Sequence, residues 1–183
     1  MPDNFTHPPT IETERLILRP ISKDDIGFIF DLFKRPETNE YSQYPNVSSK
    51  EEAEKLYEDF MKPGNPSRFR LIIELKEKGS LIGTVGLHDY SCKHERAEIG
   101  YDLLQEYWGK GFTTEAVKEI VRYSFSDLCL RRLEATVDPD NLASIRILAK
   151  NNFRYEGRLR KKFFYRGSWH DELIYSIIRE DFK

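Results

Sequence analysis

The sequence holds two cysteines, Cys92 and Cys129, in 183 residues. Two thiols so placed make neither a disulfide framework nor a zinc-ligand set, and they point to a reduced, cytoplasmic setting. A basic excess is also missing: 29 Lys and Arg stand against 31 Asp and Glu, a net charge of −2. A general nucleic-acid binder carries a clear positive balance, so no direct nucleic-acid binding is expected. No window approaches the roughly eighteen apolar residues of a membrane span, and the polar, proline-rich start "MPDNFTHPPTIETERL" has no apolar signal core. Internal repeats and breaks in composition are absent too. One domain over 11–183 is therefore predicted, behind a flexible tail over 1–10.

What remains is a chain with 39% hydrophobic and 13% aromatic residues, ample for a core. "RLILRPI" (15–21) alternates as a first strand. "SKDDIGFIFDLFKR" (22–35) reads as a helix capped by Ser22, with Ile26, Ile29, Phe30 and Phe33 on one face. "SSKEEAEKLYEDFMK" reads as a second helix, with Ser49 and Glu52 as a capping box and "GNP" (64–66) as its break. "FRLIIEL" (69–75) and "SLIGTVGLHDY" (80–90) form two strands joined by the turn "KEKG", and "AEIGYDLL" (97–104) a third. Helix 114–128 buries Ala116, Val117, Ile120, Val121, Phe125 and Leu128. "RRLEATV" (131–137) is a strand. Asn141 caps a short helix whose buried side is Ile145, Leu148 and Ala149. Strands near 155–165 and 169–178 close the chain across "RGSW". Helices interleave with hairpin-built strands, which predicts a mixed α/β sandwich rather than a doubly wound fold.

The stretch "EYWGKGFTTEAVKEIVRYSF" (106–125) carries the chemistry. A strand enters a turn with two glycines and leaves as an amphipathic helix. Free N–H groups at such a helix start, with the turn amides and the helix dipole, form an anion cradle. Thr113 and Thr114 offer caps or hydroxyls, and Lys110 a mobile charge. The Walker pattern fails because Gly111, not Ser or Thr, follows Lys110. The dinucleotide fingerprint fails because Thr114 stands at its third glycine.

These residues resemble the acyl-CoA diphosphate loop of the GNAT superfamily of N-acetyltransferases, commonly Gln/Arg-x-x-Gly-x-Gly/Ala. Gly109 and Gly111 match its glycines, and Glu106 replaces the usual Gln or Arg. "TERLILRP", "GTVGL", "AEIGYDL", "WGKGFTTEA", "DPDNLASIRILAKNNFRYEG" and "GSWHDELIYSI" follow in the order of the Rim-type branch, the ribosomal-protein N-terminal acetyltransferases and their relatives. The resemblance covers about residues 11–182. It implies a GNAT-type mixed, mostly antiparallel central sheet of about seven strands flanked by helices. It implies acetyl-CoA as co-substrate, no metal, and direct attack of a primary amine on the thioester in a ternary complex. The acceptor would be a protein N-terminus or a small amine such as a polyamine. Dimers are common in the family, so a homodimer stays open. A non-catalytic acyl-CoA-binding module or sensor is the alternative.

The resemblance also assigns roles. Backbone groups around Leu103 and Leu104 would meet the pantetheine, and Trp108, Gly109, Lys110, Gly111, Phe112 and Thr113 the diphosphate. Asn141 would touch the pantetheine arm and Ser144 would lie near the thioester sulfur. Lys150 and Arg146 would face the CoA phosphates. Many members place a tyrosine one helical turn beyond the serine; here that place holds Leu148, which leaves Ser144 or water to meet the thiolate. Glu98 is the preferred general base, through water, because its strand runs to the glycine loop. His88 is the second candidate, and His170 and His7 are weaker. Tyr41, Tyr44 and Tyr90 would line the acceptor slot. For Ser144, Glu98 and His88 the plain alternatives are a helix-start hydroxyl, a solvated strand carboxylate and a surface hydrogen-bonding imidazole. Glu115 would serve its helix dipole, and "RLRKK" (158–162) would be a solvated strand edge.

Overall fold

The computed structural model describes residues 8–42, 44, 46–61 and 68–182. His7 and the expected helix break at 64–66 lie outside them. The chain runs through β1 (Ile11–Glu12), β2 (Leu16–Pro20), α1 (Ile26–Phe33), α2 (Lys50–Met61), β3 (Phe69–Leu75), β4 (Leu81–Ser91) and β5 (Arg96–Leu103). It continues through α3 (Phe112–Ser126), β6 (Arg132–Val137), α4 (Leu142–Lys150), β7 (Arg154–Tyr165) and β8 (Ser168–Ile178). The strands form one eight-stranded sheet in the order β1-β2-β3-β4-β5-β6-β8-β7. Every neighbouring pair is antiparallel except β5–β6. The strand beyond the expected seven is β1, whose two residues are too few to show an alternation.

Both faces of the sheet are covered, which is why "FRLIIEL" reads as a nearly continuous apolar run. Leu71 and Ile73 enter the core shared with α3 and α4. Ile72, between them, enters a separate core with Ile29, Leu32 and Phe33 of α1 and Ala53 and Phe60 of α2. Residues 98, 100 and 102 of β5 thus share a face with Ile72, through the register of β3, β4 and β5. Ile99, Tyr101 and Leu103 face α3 and α4.

Three local expectations change. Ser49 Oγ accepts the Glu52 N–H at 3.2 Å, but the Glu52 carboxylate accepts from the N–H and hydroxyl of Ser48, both at 2.7 Å. The reciprocal half of the box therefore closes one residue early. In α4 only Leu148 is fully buried; Ile145 packs partly and Ala149 is exposed, because the helix lies over the sheet along a narrow stripe. In α1 the fully buried residues are Ile29, Leu32 and Phe33, while Ile26 and Phe30 pack at the margin.

The edge strand β7 is clamped to the sheet by a charged bridge. Arg132 of β6 donates to both carboxylate oxygens of Glu156, and Ser176 Oγ of β8 donates to one of them at 2.5 Å. These bonds from Arg132 and Ser176 hold the Glu156 carboxyl down at about 2. A depressed folded-state pKa means stability present above the unfolded value and lost as protons are added. The clamp is therefore intact above about pH 4.5 and fails as pH falls toward 2. Glu156→Gln should flatten the acid side of the stability–pH curve over that interval, read by urea unfolding. Glu156 is partly exposed, so the change is modest.

Candidate active site

β5 and β6 pair only at Arg96–Arg132, Ala97–Leu133 and Glu98–Glu134. Beyond Glu98, β5 follows β4 as far as Leu103 opposite Gly83, and β6 follows β8 as far as Val137 opposite Leu173. The sheet opens between them into a cleft of about 1260 Å³. In this register Leu104 N–H donates to the Ile82 carbonyl at 2.9 Å. Ile99, Tyr101 and Leu103 then turn their backbone groups to the side that β6 has left. Leu104 is thus committed to the sheet, contrary to its assigned part, and packs into the α1–α2 core. Leu103 borders the cleft, and its carbonyl accepts the Trp108 indole N–H at 2.8 Å.

The glycine loop lies at the foot of this opening. Gly109 and Gly111 have φ of +73° and +82°, a left-handed conformation that L side chains rarely adopt. Gly111 is the N-cap of α3, and no side chain caps the helix, so the threonine-cap expectation fails. Its carbonyl accepts the Glu115 N–H. The N–H groups of the first turn point outward beside Trp108, Gly109, Phe112, Thr113 and Thr114, which all border the cleft. Lys110 does not. Its Nζ donates to the Glu106 carbonyl at 2.7 Å and lies 5.3 Å from the Tyr107 ring. It lines a separate cavity with Arg15 and Lys76. Glu115 does more than face a dipole. It accepts from the Thr13 hydroxyl at 2.6 Å and from Arg15 N–H and Nε at 2.8 and 2.6 Å, tying the β1–β2 turn to α3.

From the opposite wall α4 presents Asn141, Ser144, Arg146 and Lys150. Asn141 Oδ1 accepts the Ser144 N–H at 3.0 Å, the cap read from the sequence, and its amide nitrogen is left for other partners. Ser144 Oγ lies 2.6 Å from the hydroxyl of Tyr101. Leu148 is fully buried in the core.

The face of the sheet toward α1 and α2 carries the two candidate bases. Glu98 is half-buried, and its Oε1 accepts from Thr136 N–H at 3.2 Å and Thr136 Oγ1 at 2.6 Å. These bonds fix the carboxylate where the strands part. His88 stands directly opposite in the β4–β5 register. One ligand atom each of His88, Asp89 and Glu98 lies within 4.8 Å of the others, a separation that one water spans. Tyr41 and Tyr44 border this end. Tyr44 packs edge-on to Phe33 and Phe60 at 6.0 and 5.8 Å, and burial raises its phenol. Tyr90 lies off the cleft, contrary to its assigned place. A register shift between His88 and Ser91, with Asp89 at φ +51°, turns it to the other face, where it packs on the α3 core. His170 is held at the β7–β8 turn by Ser168 Oγ and the Tyr165 carbonyl, outside the cleft.

Two features escape the sequence reading. Tyr101 alternates like any core residue of its strand. The buried pair of Arg70 and Asp102 lies on the acceptor face: Arg70 Nη2 bonds Asp102 and Nε donates to Thr84 Oγ1 at 3.0 Å. Burial raises the Asp102 carboxyl, against the pull of Arg70 and Thr84. The available signal is glycine inside strands. A Cβ at Gly100 would meet Arg70 Nη1 at 3.1 Å, and one at Gly86 would meet the Phe69 carbonyl at 2.2 Å.

A mixed sheet split at one parallel pair, with an uncapped glycine-flanked helix start at the split, is the arrangement expected of an acyl-CoA-dependent N-acyltransferase. The family model for the acetyltransferase (GNAT) domain matches residues 15–154. The chain belongs to that family and is an acetyl-CoA-dependent N-acetyltransferase. It is 40% identical over 172 residues to the uncharacterized N-acetyltransferase YoaA of Bacillus subtilis, covering 93% of this chain and 97% of that one. It is 28% identical over 165 residues to spermidine N(1)-acetyltransferase of Escherichia coli, covering 90% and 87%. It superposes with a TM-score of 0.81 and 26% identity on spermidine N-acetyltransferase of Vibrio cholerae in complex with CoA and spermine, covering 92% and 98%.

Proposed function

We propose that the chain transfers the acetyl group of acetyl-CoA to a primary amine by direct attack, in the Rim-type branch of the family. The observation that carries this reading is the opening between β5 and β6 beside the uncapped start of α3. Pantetheine would lie along the free backbone edge at Ile99, Tyr101 and Leu103, with its diphosphate on the amides of Gly109 to Thr113. Asn141 and Ser144 would flank the thioester, and Arg146 and Lys150 the phosphates. Glu98, held by Thr136, would take the amine proton through a water that His88 also borders. Positioning of two substrates supplies much of the rate, and the proton transfer a further share. No resident metal is invoked.

The acceptor we propose is a small polycationic amine rather than a protein N-terminus. Glu37, Glu40, Asp89, Asp138 and Asp140 line the acceptor end. Arg70 and Arg68, which also border it, are offset by Asp102 and by Asp59, the latter at 2.6 Å, and Lys162 adds one positive charge against these five carboxylates. A cleft lined mainly by one sign of charge concentrates ligands of the other. The spermine bound by the Vibrio cholerae relative accords with this. The test follows CoA release with a thiol reagent, with spermidine, an aminoglycoside and an alanine-initiated peptide as acceptors. Release is expected fastest with spermidine and unchanged by EDTA. Release with the peptide alone would move the acceptor to protein N-termini. Acetyl-CoA binding without release for any amine would favour a sensor or binding module. Loss of release in EDTA would assign an ion to His88, Asp89 and Glu98.

A further inference from the structure

One partly buried phenol of the cleft, that of Tyr101, has no part in the proposed reaction. Tyr101 comes from β5, on one wall of the opening, and Ser144 from α4, on the other. Their oxygens are 2.6 Å apart, the only hydrogen bond of either side-chain hydroxyl among the described residues. The position one turn beyond Ser144 is Leu148, sealed in the core, so α4 offers no phenol of its own. We infer that Tyr101 is a positioning residue that aims the Ser144 hydroxyl proton at the departing thiolate.

The Tyr101 side chain is partly buried against the α3–α4 core, and Ser144 Oγ is the protein acceptor its hydroxyl reaches. Ser144 borders the open cleft. With one of its two lone pairs filled by Tyr101, its single proton is free to be donated into that space. Burial pushes the Tyr101 hydroxyl up to about 12, so it stays protonated and remains a donor across the neutral range. Two hydroxyls in series polarise one another, which strengthens the outer donor. As the amine nitrogen bonds the acetyl carbon, the carbon–sulfur bond breaks and its electron pair leaves on sulfur. Free thiols have a pKa near ~8.5, so the sulfur is stabilised by accepting the Ser144 hydrogen bond and need not take the proton. The surplus proton of the nitrogen departs on the Glu98 side.

This inference rests on the cleft being the acetyl-CoA site, and the experiment separates the two. Tyr101→Phe, Ser144→Ala and the double variant are compared for kcat, KM and acetyl-CoA affinity by calorimetry. One hydrogen bond is worth about a three- to tenfold loss, and that loss is expected in kcat for each single variant, with acetyl-CoA affinity within about twofold of the wild type. The double variant should be no slower than Ser144→Ala, because Tyr101 acts only through Ser144. A purely structural Tyr101 would give losses that multiply. Multiplying losses, or an unchanged kcat for Tyr101→Phe with acetyl-CoA still bound, overturn the inference and leave the cleft reading standing. A wild-type protein that binds no acetyl-CoA overturns both.

Discussion

Glu98→Gln slows turnover on the order of 10²-fold, the lower range for loss of a positioned proton acceptor. The substitution keeps the shape and the bonds from Thr136 N–H and Oγ1, since the amide oxygen still accepts them. What it removes is the capacity to take a proton. The effect should therefore fall on kcat, while KM for acetyl-CoA stays nearly constant. His88 faces Glu98 across the β4–β5 ladder and is the competing base. His88→Gln is expected to cost far less. If His88→Gln gives the large loss and Glu98→Gln leaves kcat unchanged, the base is the imidazole.

Gly109→Val weakens acetyl-CoA binding on the order of 10²-fold. Two effects combine. Gly109 sits at φ +73°, and a left-handed conformation costs an ordinary residue about 1–2 kcal/mol, a branched one the upper part of that range. An added carbon meets no protein atom within 4 Å, so the loop is not forced apart from inside. It projects instead into the space over the helix start that the proposal gives to the diphosphate. Calorimetry on the folded variant reads the loss directly. Gly157→Ala, also free of contacts within 4 Å and lying outside the positive-φ region, is the control and should bind normally. Normal acetyl-CoA affinity in Gly109→Val would remove the loop from the cofactor site.

The parts of this architecture legible in the sequence are those fixed by neighbours a few residues apart. The amphipathic face of α3, the Asn141 cap and the two-glycine turn are each local patterns, and the structure keeps them. The active-site opening is not local. It arises because β5 and β6 follow different partners after three paired residues, and no periodicity within either strand records that parting. Tyr101 meets Ser144 across 43 residues and Arg70 meets Asp102 across 32, so neither pair has a signature in any window. Tyr90 departs from its expected place because a bulge at Asp89 inverts the alternation that the strand pattern assumes. Lys110 follows from flexibility: a long side chain next to an anion cradle finds the Glu106 carbonyl and the Tyr107 ring instead. The in-strand glycines at 86 and 100 were the one sequence-level trace of the buried ion pair.

A crystal structure with acetyl-CoA would show where the cofactor sits. The diphosphate is expected on the main-chain amides from Gly109 to Thr113, the pantetheine in the parting of β5 and β6, and the sulfur beside Ser144. Density for the cofactor in the separate cavity of Arg15, Lys76 and Lys110, with the split in the sheet vacant, would contradict that placement.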